Sequence, residues 1–142
     1  MAYKLSDFKD KWLSEGMDED TILFAQNFGE HLCDLQPDKR LGRLAMTTSQ
    51  IRNFFGEVKR IQARLQERDF SEEKAAFLLL KPKLAYAEAR VKAKSGQSNI
   101  SDFRKVIELA HTQVKNDKDQ FKRFVDFLEA ILAYHKAAGG RE

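Results

Sequence analysis

The stretch Thr47-Thr48-Ser49-Gln50-Ile51-Arg52-Asn53-Phe54-Phe55-Gly56-Glu57-Val58-Lys59-Arg60-Ile61, running on to Leu65, decides the fold class. Its hydroxyl run supplies side-chain oxygens for the N–H groups that are otherwise free at a helix start. Ile51, Phe54, Phe55, Val58, Ile61 and Leu65 then fall on one stripe when successive positions advance by about 100°. Arg52, Lys59 and Arg60 project from a different arc of the same cylinder. One face of this helix is built for packing, and the other offers positive charge.

The same periodicity extends in both directions. Upstream, Asp18 to Asp20 suit the positive end of a helix carrying Ile22, Ala25, Phe28, Leu32 and Leu35 on one side, ended by Gln36 and Pro37. A short helix is expected after Ser6, with Leu5, Phe8, Trp12 and Leu13 on one face and Gly16 at its end. Residues 37–47, with Lys39, Arg40 and Arg43, show no sustained period and read as a mobile basic connector. Downstream, Ser71 with Glu72 and Glu73 opens a helix that Pro82 should kink, because proline lacks the N–H and crowds the preceding turn. Ser95 to Ser98 form a loop. Asn99 or Ser101 caps a helix with Phe103, Val106, Ile107, Ala110 and Val114, and a final helix carries Phe121, Phe124, Val125, Leu128, Ile131, Leu132 and His135 before Gly139 and Gly140. The expectation is an all-α fold: a compact bundle of about five helices with a kink at Pro82. It forms one domain over residues 1–142, with residues 1–17 and 138–142 as flexible ends.

Composition narrows the chemistry. The formal net charge is only +3, but it is unevenly spread. Residues 1–35 hold three Lys and Arg against eight Asp and Glu, whereas residues 36–68 hold eight against three. A basic centre suits an anionic partner and an acidic start suits a basic one, although solvated helix faces produce the same imbalance. The single Cys33 excludes an intrachain disulfide and a cysteine-based metal motif, in keeping with a cytoplasmic location, and reads as a small buried residue. No apolar run approaches the roughly 20 residues of a membrane span, so no membrane partner is expected. His31, His111 and His135 are widely separated and form no metal-binding motif. No metal, cofactor or catalytic residue is assigned, and His135, on an apolar stripe, is expected to be a packing residue.

The basic residues carry the functional reading. Arg52, Lys59, Arg60, Arg64 and Arg68 are spaced to meet successive phosphates, where cations release condensed counterions without reading sequence. Local pairs such as Glu57 with Arg60 or Arg64 would explain the same residues as a solvated surface; charge alone divides these readings evenly. Lys81 and Lys83 flank Pro82 as a phosphate clamp, with Arg90 about two turns beyond Lys83. Tyr86 is expected at the core or its rim. Phe127, off the main stripe, is expected to mark a partner surface.

The Ser49-Gln50-Ile51-Arg52 helix start and the Lys81-Pro82-Lys83-Leu84-Ala85-Tyr86 segment, followed by Arg90, resemble the small subunit of the type III-A CRISPR-Csm effector complex. The resemblance spans roughly residues 20–135. It implies a non-catalytic helical protein, present in additional copies of itself along an antiviral ribonucleoprotein filament with guide RNA, target RNA and the other Csm subunits. Arg52, Lys81, Lys83 and Arg90 match the family-like segments, whereas Lys59, Arg60 and Arg64 join the RNA-binding set from helix geometry. Two other readings remain: a protein-interaction adaptor without direct RNA binding, and a small hydrolase dependent on His31 or His111.

Overall fold

The computed structural model describes residues 3–38, 40–96 and 98–140. After a single 3-10 turn at Leu5–Asp7 come α1 (Glu19–Leu32), α2 (Thr48–Arg64), α3 (Phe70–Leu78), α4 (Leu80–Ser95), α5 (Ile100–Gln113) and α6 (Lys118–Ala137). The all-α bundle expected from sequence is found, with α3 and α4 as the two arms of one broken rod. That break lies at Leu79, three residues before Pro82, in helical geometry (φ −69°, ψ −12°). Pro82 thereby sits in the first turn of α4, where its missing N–H costs nothing and the carbonyl it would crowd, that of Leu78, closes α3.

Helix starts follow their capping chemistry. Thr47 Oγ1 accepts from Gln50 N–H (3.1 Å) while Gln50 Oε1 accepts from Thr47 N–H (2.9 Å), two otherwise free donors satisfied reciprocally. Asp18 and Thr21 form the same reciprocal arrangement at α1. Asn99 departs from the expected side-chain cap: its amide donates to the His31 carbonyl (2.9 Å), tying α5 to the end of α1.

α6 is the central element, packed against α1 and α2. Phe121, Phe124, Val125, Leu128 and Ile131 are buried as expected, but so is Phe127, at 1% exposure. Phe127 meets Phe8 and Phe24 and therefore marks no partner surface. α6 is covered from more than one side, so its apolar arc is wider than a single stripe. On α1, Phe24 and Gly29 face inward, whereas Ile22 (41% exposed) faces solvent, as does Leu35 beyond the end of the helix. α1 ends at Leu32, and Asp34 turns the chain with φ +50°, which removes Leu35 from the helical register.

The opening segment is not an α-helix beyond its 3-10 turn. Too short to hold helical structure alone, it contributes Phe8, Trp12 and Leu13 to the core. Tertiary hydrogen bonds replace helical ones: Leu13 N–H donates to Gln113 Oε1 (2.9 Å), and Arg123 donates to the Leu13 carbonyl (3.0 Å). The basic connector is similarly closed on itself. Gly42 N–H meets the Asp34 carbonyl (2.8 Å), Leu44 N–H meets the Asp34 carboxylate (3.0 Å), and Met46, fully buried, donates to Leu32 O (2.7 Å). Lys39 and Gln97 lie outside the described residues.

The three histidines and Cys33 hold structural positions. His135 is buried with Nε2–H donating to Met46 O (2.6 Å), and Cys33 Sγ donates to His135 O (3.2 Å). Burial pushes the Cys33 thiol up to about 11, which suits packing and not nucleophilic attack. His31 pairs with Asp102 (2.8 Å). His111 stacks on Phe77 at 3.8 Å and donates to its carbonyl (2.7 Å).

Burial holds His111 below its ordinary pKa of 6.5, partly opposed by that hydrogen bond and reinforced by nearby Lys81 and Lys74. The folded state thus binds fewer protons than the unfolded chain just below pH 6.5. The stabilisation is complete above that value and declines as pH falls toward the depressed folded pKa. Urea unfolding at stepped pH should show this decline, and His111→Gln should flatten it; an unchanged slope in the variant would assign the titration elsewhere.

Candidate nucleic-acid interface

Seen down its axis, α4 divides into four arcs at about 100° per residue. Leu80, Leu84, Ala87 and Val91 face the core. Lys83, Arg90 and Lys94 share the flank toward α2, and Lys81, Glu88 and Lys92 lie on the flank toward α5. The outward arc carries Leu79, Pro82, Tyr86, Ala89 and Ala93, all exposed. Lys81 and Lys83 consequently do not form one clamp. Two residues apart on a helix, they point about 200° from each other: Lys81 Nζ reaches Thr112 of α5 (3.3 Å), while Lys83 Nζ reaches Glu57 of α2 (3.2 Å).

Between α2 and α4 lies a groove of about 470 Å³. Met46, Phe54, Leu84, Ala87, Val91 and Ile100 make it apolar in its depth. Gln50, Asn53 and Glu57 form the α2 rim, and Lys83, Arg90 and Lys94 the α4 rim. Glu57 also accepts from Arg60 (2.7 Å), so two sequence-predicted cations converge on one carboxylate. The Lys83 hydrogen bond, with Arg60 assisting, holds the Glu57 carboxyl below the usual carboxylate range. Arg90 is steadied over the exposed Tyr86 ring, 5.7 Å from its centroid. Tyr86, at 66% exposure, is neither core nor rim, because it lies on the arc of α4 opposite the one that Leu80, Leu84, Ala87 and Val91 turn to the core.

The remaining predicted residues are distributed elsewhere. Arg52 and Lys59 are exposed on the flank of α2 away from the groove, with Lys59 Nζ 5.8 Å from the Phe55 ring centroid. Arg64 and Arg68 hold Glu73, a carboxylate only 3% exposed, at 2.6 and 3.2 Å. Lys94, Asn53 and Gln50 were missed as groove residues. Lys94 was detectable as the next turn after Arg90 on the same arc, whereas the two amides had no signal until α4 was placed beside α2.

Among the described residues no group of three or more metal-ligating side chains gathers, and no helix is long and apolar enough to cross a membrane. The geometry defines a class: a helical protein presenting a basic, amide-edged groove beside an unpartnered apolar helix face. The Csm2 Type III-A family matches residues 25–141, and the chain belongs to that family. It is a small subunit of the type III-A Csm complex, a structural subunit family, and membership implies assembly with other Csm subunits. No curated protein and no solved structure matches the chain.

Proposed function

We propose that this small subunit, acting as a single helical domain in the cytoplasm, scaffolds an antiviral ribonucleoprotein filament. In this reading it contacts the RNA backbone of the guide–target pair along the groove side of α4. The observation that carries it is the convergence of Lys83, Arg90 and Lys94 on one arc, with Arg60 drawn to the same rim through Glu57. Cations one or two turns apart track a phosphate backbone by charge and shape, leaving sequence to base pairing. The groove side is preferred over Arg64 and Arg68 because their carboxylate, Glu73, is 3% exposed and holds both guanidinium groups, whereas Glu57 beside Lys83 is 35% exposed and competes with a phosphate far more weakly. Arg52, Lys59 and Lys81 lie on other flanks and serve as a comparison set.

The protein-facing surface is the outward arc of α4. Leu79 (53% exposed), Pro82, Tyr86, Ala89 and Ala93 repeat with the three-then-four spacing of a helix-pairing seam. The same face of another copy would bring lysine against lysine, so the fitting partner is acidic. The outer face of α1 in the next copy, where Glu19 and Asp20 border exposed Ile22 and Leu23, has the complementary charge and apolar content. Such a head-to-tail contact generates strings and not closed pairs.

Fluorescence anisotropy with single-stranded RNA tests the RNA contact. Reversing Lys83, Arg90 and Lys94 to glutamate should weaken binding about a hundredfold at roughly 0.1 M salt and lower the salt slope by about 2. Reversing Arg52, Lys59 and Lys81 should do less. Equal loss in both sets would leave only diffuse attraction, and no loss in the first set would favour the adaptor reading.

A further inference from the structure

We propose that the groove between α2 and α4 seats one nucleotide, with its base on the apolar depth and its phosphate against Arg90 and Lys94. This rests on the RNA-facing reading above and adds a specific claim, that the groove takes a base and not backbone alone. A phosphate or ribose pressed onto Phe54, Leu84, Ala87 and Val91 would lose hydration with nothing in return, whereas the flat face of a base gains by leaving water there. The volume of about 470 Å³ lies in the range of small-molecule sites.

The rims divide the work. Gln50 commits its Oε1 to the Thr47 N–H, which leaves its amide N–H groups to donate. Asn53, exposed on the next turn toward the groove, offers both a donor and an acceptor. These two amides stand where the polar edge of a base resting on the floor would be. At the Glu57 end, the carboxylate between Lys83 and Arg60 offsets part of their charge, so a seated phosphate is held more weakly there. The phosphate belongs at the other end, where Arg90 and Lys94 are one turn apart on the same arc. A free nucleotide and an unstacked nucleotide of a strand share this chemistry.

The test compares three probes on the intact chain at one salt concentration: a short fluorescent uridine oligoribonucleotide, an abasic oligomer of the same length, and uridine monophosphate. The base-bearing strand should bind at least about tenfold more tightly than the abasic one, as stacking of a single base allows. Ala87→Phe, which fills the floor, and Asn53→Leu, at an exposed position that spares the core, should each bring binding of the base-bearing strand down toward that of the abasic one. Binding of uridine monophosphate to the same residues assigns the site to free nucleotides; base-dependent strand binding without it assigns the site to RNA. Equal binding of both strands overturns the nucleotide seat and leaves the backbone reading standing. Binding by neither strand overturns both, and retention of the base preference in folded Asn53→Leu and Ala87→Phe places the base elsewhere.

Discussion

Gly29→Leu should abolish the cooperative unfolding transition, and Gly29→Ala should lower stability by about 1–2 kcal/mol. A Cβ at this position would stand 2.8 Å from the His135 amide nitrogen and 2.9 Å from the Ile131 carbonyl oxygen, both backbone atoms of α6. A side chain can turn away from such an overlap, but a helix backbone cannot. α1 must therefore lift from α6, loosening the contacts of Phe24, Phe28 and Leu32 in the principal helix pair of the fold. The alanine figure is a net of overpacking against the helix propensity that alanine gains over glycine, about 1 kcal/mol. Gly56→Ala is the matched control: nothing lies within 4 Å of its added Cβ, so it should stabilise by up to about 1 kcal/mol. Urea titrations followed by circular dichroism would read both. A Gly29→Leu protein with an unchanged midpoint would refute the close crossing.

Removing Arg64 and Arg68 together is the second large effect. Glu73 is 3% exposed and both of its cations come from these residues, which leave α2 and the turn after it to reach the start of α3. With both guanidinium groups gone, the carboxylate is buried without a partner, and losing the partners of a buried charge costs several kcal/mol. Both arginine side chains are about half exposed, so water re-enters on their removal and the expected loss is nearer about 2–3 kcal/mol. Adding Glu73→Gln to the double variant should recover part of it. RNA affinity, measured well below the melting temperature, should stay near that of the parent protein. If affinity instead falls as far as in the Lys83, Arg90, Lys94 variant, the two arginines belong to the RNA surface and Glu73 merely positions them.

The contrast between those two arginines and Lys94 shows where one-dimensional reading stops. Arg64 and Arg68 looked like phosphate ligands because they continue the spacing of Arg52, Lys59 and Arg60 along the chain. Their pairing with Glu73 depends on how α3 folds back, which no helical period encodes. Lys94 was legible on α4 by period but had no partner rim until α2 lay beside it. The clamp read from Lys81 and Lys83 failed for a local reason: adjacency across a proline suggested proximity, whereas a continuing helix turns alternate residues to opposite sides. Tyr86 and Phe127 exchanged expected environments because burial depends on what covers an arc, and the neighbours of α4 and α6 come from distant segments.

Local chemistry sufficed for the rest. The all-α class, the α2 start after its hydroxyl run, the apolar stripes of α2, α5 and α6, and the interruption near Pro82 were determined by sequence alone. Caps, helical periods and proline act within a few residues of themselves. The family was also legible, in the Ser49–Arg52 and Lys81–Tyr86 segments that lie within the matched range. Only the tertiary structure decided which cations share a surface, which carboxylates claim them, and that an apolar groove opens between α2 and α4. Those outcomes depend on the rotation of each helix about its axis, set by the whole core at once, including the Gly29 contact that brings α1 onto α6.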